Sequence, residues 1–212
     1  MKLDTYITRQ ACNIYTVIND NNEGILIDPG YNANNCLIEH LKKLNVDSKY
    51  ILITHGHYDH IGALNDVLKV YPNAITYIHE EDKICLTSPK YNLSDDFNNG
   101  MNVVVKVKHL ITISDNDNLN LLGFNIKVMH TPFHSKGSVI YIFINEEIIF
   151  SGDTLFFNTI GRTDLITSEP RKVNDSLLKI KELNANYVIY PGHGIKTNLE
   201  RELKYNMYLR IL

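Results

Sequence analysis

The chain has 212 residues, with 21 basic against 24 acidic side chains and 44% hydrophobic residues, enough for a sizeable core. No block of like charge is long enough to track a nucleic-acid backbone, and no stretch reaches the roughly eighteen apolar residues of a membrane helix. Three scattered cysteines with no C-x-x-C pair argue against a secreted disulfide scaffold, and charge enters the N-terminus too early for a signal peptide, so the expected compartment is the cytoplasm.

In chain order, "KLDTYI" and "NIYTVIN" are β-rich, and the turn "NDNNEG" joins the second to "GILIDPG" as a hairpin. Apolar residues at 33, 37, 38, 41 and 44 predict a helix, with Asn32 as its N-cap. "KYILIT" is a fully apolar strand, "HIGALNDVLKVYP" returns to helical period up to Pro72, and "AITYIH" is another short strand. Residues 84–108 read as loop with short helical pieces. A hairpin follows in "NLNLLGFNIKVMHTP", turning near Gly123, then the strands "GSVIYIFI" and "EIIFSGD". Val173, Leu177, Leu178 and Ile180 mark one face of a helix over 171–183. "YVIYPGHG" is a strand stopped by its glycine, and Leu199, Leu203 and Met207 give the tail an i,i+4 helical face. Alternating sheet and helix is α/β order, and strands apolar throughout need cover on both faces. Two face-to-face sheets with helices outside satisfy this, and the length suits one large domain or two small ones.

Four polar clusters follow strongly apolar strands: "THGHYDH" with His55, His57, Asp59 and His60, then His134, Asp153 and His193. Ligand sites of α/β folds form beyond strand C-termini, so these ends can converge. Imidazole and carboxylate are the usual N/O ligands of zinc, and they also suit iron and manganese. Seven donors exceed what one ion needs and fit two divalent ions sharing a carboxylate. His55 and His57 project alike from an extended segment and can serve one ion. Asp59 and His60, past a bend, can serve its neighbour. His130 is expected to pack or hydrogen-bond within its strand. His40, His79 and His109 belong to no cluster and read as structural or surface groups. Cys36 reads as core, and Cys12 and Cys85 carry no catalytic context.

"THGHYDH" (54–60), "TPFHSKGS" (131–138), "SGDTLF" (151–156), "IGRTDL" (160–165) and "YPGHG" (190–194) together resemble the metallo-β-lactamase superfamily. Within it the chain is similar to the hydroxyacylglutathione hydrolase (glyoxalase II) branch, in a short form without the C-terminal helical domain. The resemblance implies a four-layer αββα sandwich with a binuclear site at one edge. It assigns His55, His57 and His134 to the first ion, Asp59, His60 and His193 to the second, and Asp153 between them. It implies that Asp28 stiffens the metal loop from behind and that Arg162 touches substrate. Phe133 stands where glycine is usual and is expected to narrow the pocket, and Met207 replaces a common proline. The implied activity is cleavage of an acyl thioester, such as a 2-hydroxyacyl-glutathione, by a metal-bridging hydroxide, with Asp59 holding that hydroxide or taking its proton. The alternatives are an iron-dependent persulfide dioxygenase, against which "YPGHG" argues, and a hydrolase of another ester, lactone or phosphoester. The expected partner is a small acyl thiol.

Overall fold

The structure is a computed structural model that describes residues 1–8 and 12–212. Its first six-stranded sheet runs, in spatial order, β1 (Lys2–Ile7), β2 (Asn13–Ile18), β3 (Glu23–Ile27), β4 (Asp47–Leu52), β5 (Ile75–His79) and β6 (Leu110–Ile113). The β1–β2 and β2–β3 pairs are antiparallel, and the rest of this sheet is parallel. The second sheet also has six strands. It contains β7 (Asn118–Leu121), β8 (Phe124–His130), β9 (Val139–Phe143), β10 (Ile148–Gly152), β13 (Val188–Pro191) and β14 (Thr197–Asn198), with β13 beside β10. A short hairpin, β11 (Leu155–Phe156) and β12 (Thr159–Ile160), follows β10.

Side-chain alternation along the strands builds the layers. Ile25, Ile27 and Leu52 of the first sheet meet Val128, Tyr141, Phe143 and Phe150 of the second in a core between the sheets. Leu26, Ile51 and Ile53 point the other way, onto α1 (Cys36–Leu44), α2 (Tyr58–Ile61) and α3 (Leu64–Val70). Ile140, Ile142, Ile149 and Ile189 point outward from the second sheet, onto α5 (Val173–Lys181), α6 (Leu199–Tyr205) and α7 (Met207–Arg210). The architecture is therefore helix, sheet, sheet, helix, and the central strands β2, β3, β9 and β10 are buried almost end to end because both faces are covered. The remaining short helix, α4 (Ser94–Phe97), lies in the loop-rich stretch after the 3-10 turn Glu80–Leu86.

Several local expectations are corrected. Asn32 does not directly precede α1, since a 3-10 turn over Ala33–Asn35 intervenes, yet its Oδ1 accepts from the Leu37 and Ile38 N–H groups and so still caps the helix. The helical pattern after residue 58 breaks at Gly62–Ala63, where a Cβ on Gly62 would strike the Gly30 carbonyl. Cys36 opens α1 exposed rather than in the core. Leu178 is exposed, so Leu177 and Ile180 carry the buried face of α5. Strand β6, not anticipated from the sequence, pairs with β5 at the sheet edge.

The tail helix breaks at Asn206, whose Oδ1 accepts from Tyr208 N and whose Nδ2 donates to Glu202 and to the Thr159 carbonyl. This break rotates the last turn, leaving Met207 64% exposed and Leu209 fully buried. Leu209→Ala is expected to cost about 2–5 kcal/mol, whereas Met207→Ala stays within about 0.5 kcal/mol. Urea unfolding of the two variants checks the difference.

Candidate metal centre

Strand ends deliver the polar groups. The chain leaves β4 through Thr54 to His57, and α2 then carries Asp59 and His60 on a single turn. His134 lies in the loop after β8, Asp153 directly after β10 and His193 one residue beyond β13, after Gly192. All seven side chains meet. The ligating atoms of His55, His57 and His134 lie within 4.8 Å of one another, as do those of His55, His60 and Asp153. His60 Nε2 is 3.4 Å from Asp153 Oδ1, and His134 Nε2 is 3.4 Å from Asp153 Oδ2. His193 Nε2 stands 3.1 Å from Asp59 Oδ2 and 3.7 Å from Asp153 Oδ2. Asp153 thus lies between the two groups, as a shared carboxylate must.

The histidines are aimed by their other ring nitrogens. His134 Nδ1 donates to the Arg162 carbonyl at 2.9 Å. His57 Nε2 pairs with Thr167 Oγ1 at 2.9 Å, and His60 Nδ1 with Asp28 Oδ2 at 3.0 Å. His55 Nδ1 lies 3.2 Å from Thr54 Oγ1, which itself donates to Asp28 Oδ2 at 2.6 Å. Asp28 Oδ1 also accepts from Thr54 N at 2.7 Å, so this buried carboxylate ties the start of the loop to His60. Gly192 completes the cradle, since a Cβ there would run into Asp153 and His60.

Three inward-facing atoms, His55 Nε2, His134 Nε2 and Asp153 Oδ1, are buried with no hydrogen-bond partner. Orphaned donors and acceptors are costly unless something binds them, and divalent cations suit this set. Protonation fits the same purpose at His55 and His57, whereas neighbouring anionic groups outweigh burial and push His60 and His193 up. Burial pushes the His55 and His57 imidazoles down, His57 to about 3, which keeps them neutral and able to ligate. Burial alone would raise Asp153, but His60, His134 and His193 hold it well below the usual carboxylate range. The arrangement is a candidate dinuclear metal site.

The remaining candidates behave differently. Phe133 does not border the pocket. Its ring is fully buried against the outward face of the second sheet, because Phe133 N bonds the Thr131 carbonyl and Glu169 N bonds the Phe133 carbonyl, turning the side chain inward. Arg162 does line the cavity, exposed and doubly bonded to Asp164 at 2.6 and 2.8 Å. The cavity at the cluster measures about 170 Å³ and is bordered also by Tyr58, Leu93, Phe97 and Leu165. Cys12, read as lacking context, lies fully buried with Sγ 4.0 Å from His60 Nδ1, and burial pushes its thiol up to about 12. His40 pairs with Asp4 at 2.7 Å. His79 and His130 stack at 3.9 Å and 17° beside Glu81, with His79 Nδ1 accepting from Glu81 N and His130 Nε2 donating to the Lys136 carbonyl. Parallel rings send their in-plane lone pairs side by side, so this trio is not arranged as a coordination shell. Thr167, the Arg162 carbonyl and Asp82 were not foreseen, and a hydroxyl, a carbonyl or a lone carboxylate carries no sequence mark of such a role.

Comparison with known proteins agrees with this geometry. The family model described as the metallo-beta-lactamase superfamily matches residues 7–193. The chain belongs to that superfamily. It is a metal-dependent hydrolase of the superfamily with a candidate dinuclear centre. It is similar to the hydroxyacylglutathione hydrolase GloC of Haemophilus influenzae, 29% identical over 207 residues, covering 95% of this chain and 93% of the relative. The BLEG-1 B3 metallo-beta-lactamase superimposes with a TM-score of 0.88 at 31% identity, over 98% of this chain and 99% of that one. TTHA1623 in a di-iron-bound form superimposes with a TM-score of 0.84 at 26% identity, over 97% of this chain and all of that one (100%). Among the described residues no helix is long and apolar enough to cross a membrane.

The three apolar clusters lie in the layers, so chelator-treated protein is expected to stay folded by circular dichroism. Metal analysis after reloading is expected to find two ions per chain, and close to one for His193→Ala. Asp28→Ala is expected to weaken binding by roughly 10–100-fold, read by chelator competition.

Proposed function

We propose that residues 1–212 act as one cytoplasmic domain that hydrolyses a small acyl thioester, with 2-hydroxyacyl-glutathione as the leading substrate class. The carrying observation is the convergence of seven donors, four of which, His57, Asp59, His134 and Asp153, line a cavity of about 170 Å³. That volume admits the acyl end of a thioester and leaves a bulky thiol on the surface, near Arg162. The similarity to GloC supports the substrate class. In this reading His55, His57 and His134 would hold one divalent ion, Asp59, His60 and His193 would hold the other, and Asp153 would be the carboxylate available to both. Zinc, iron and manganese all suit these ligands. When bound, the ions supply an acidified water as nucleophile and positive charge for the oxyanion.

The chain's own groups do the rest. Asp59, 3.1 Å from His193 Nε2 and lining the cavity, orients the attacking water and takes its proton. Tyr58, Leu93, Phe97 and Leu165 wall the acyl group away from bulk water. Arg162 has its Nε and Nη2 on Asp164, which holds the guanidinium at the rim and leaves Nη1 for a substrate carboxylate.

One other reading has an observation behind it. The likeness to a B3 metallo-beta-lactamase at 31% identity makes a β-lactam the competing substrate. The deciding assay presents S-lactoylglutathione, a lactone, a phosphodiester and a cephalosporin to zinc-, iron- and manganese-loaded protein, with oxygen uptake on glutathione persulfide alongside. Thioester turnover at least tenfold above the others is expected, and activity confined to any other arm refutes the reading. Asp59→Ala is expected to lower kcat by about 100-fold or more with the far-ultraviolet spectrum unchanged. Arg162→Ala is expected to raise KM about tenfold with kcat within about twofold, the pattern of lost ground-state binding.

A further inference from the structure

Asp82 is a carboxylate in the 3-10 turn Glu80–Leu86, 1% exposed and with no role in the ligand set described above. Its Oδ2 accepts from Gly56 N and from Ser135 Oγ, both at 2.7 Å, and its Oδ1 accepts from Gly137 N at 2.7 Å. Gly56 separates His55 from His57, and Ser135 follows His134. One buried side chain is therefore bonded to both loops that carry the three-histidine group. Those loops otherwise come from different sheets, since His55 follows β4 and His134 follows β8.

The approach is tight on both sides. A Cβ on Gly56 would meet the Cys85 side chain, and one on Gly137 would meet the Asp82 carboxylate itself. Both positions lack side chains where the turn must reach the loops. Ser135 and Ser138 are also joined, Oγ to Oγ at 2.8 Å, so the second loop arrives already folded on itself. An asparagine at 82 would fill the same space, but either amide orientation would point an N–H₂ group at a donor, so only a carboxylate satisfies both loops at once.

We propose that Asp82 is a positioning residue for the first metal ion: it sets the separation of His55 and His57 from His134, and Asp59, His60 and His193 do not depend on it. The Asp28 carboxylate is its counterpart on the other side, bonded to Thr54 and His60. The inference rests on the dinuclear centre and not on the choice of substrate, and its readout is metal binding, so a failed thioester assay leaves it standing.

The test places Asp82→Asn in two backgrounds, His193→Ala, where the three-histidine group is intact, and His134→Ala, where the second group is intact. Zinc affinity is measured by chelator competition, with the unfolding temperature of each metal-free protein alongside. The expected result is a loss of roughly 10–100-fold in the His193→Ala background and a change within about threefold in the His134→Ala background. Equal losses in both, losses confined to the second, or a lowered unfolding temperature with both affinities unchanged would overturn it. If Asp82→Asn does not fold, Ser135→Ala decides in the same two backgrounds. A selective loss of about threefold or more at the three-histidine group supports the role, and any other pattern refutes it.

Discussion

Five imidazoles and two carboxylates crowd together at one end of the two sheets, most of them cut off from water. Burying such groups without partners is costly, and placing like groups side by side adds to the cost. The surrounding structure meets that constraint in two ways. Each histidine turned inward in the two loops after β4 and β8 has its outer nitrogen set against a hydroxyl, a carbonyl or a carboxylate. The inner atoms are left facing one another around space suited to cations, and there the charges of Asp59 and Asp153 balance what the ions would bring.

Holding that geometry requires the two sheets to be locked to each other, because the donors come from both. The apolar core between the sheets sets their distance, and polar bonds fix their register near the site. Asn13, on β2 of the first sheet, donates from Nδ2 to the carbonyls of Pro191 and Gly194 at 3.0 and 2.9 Å. Tyr15 donates from its hydroxyl to the same Pro191 carbonyl at 2.6 Å. These bonds grip the turn that presents His193 from both sides. Asp82 plays a comparable part across the loops of His55 and His134, so each portion of the cluster is fastened by a buried polar residue of the first sheet or its connections.

The site was more legible in the sequence than its supports. "HGHYDH" placed after an apolar strand narrows the chemistry sharply, because few roles need that many imidazoles and carboxylates at that spacing. An orienting group needs only to offer one oxygen at the right place, so Thr167, the Arg162 carbonyl and Asp82 look like any other loop residues until the chain is folded. Side-chain direction in irregular segments was equally hidden. Phe133 adjoins a ligand in sequence, but local backbone bonds turn it into the core, and the break at Asn206 exchanges Met207 for Leu209 on the buried face. Periodicity predicts facing only while the helix continues, which is why it failed at Met207, and the resemblance that put Phe133 at the pocket carried no information on which way the local backbone turns it.

Residue type and alternation along the chain were enough to determine a layered α/β architecture and the identities of the groups that gather at its edge, since burial on both faces of a strand and affinity for a cation are properties written in side-chain chemistry. Which atoms of those groups face inward, which loops are tied to which, and how much room is left above them were decided only by the tertiary structure. Those are distances between segments far apart in sequence, set by hydrogen bonds to backbone groups that every residue carries alike.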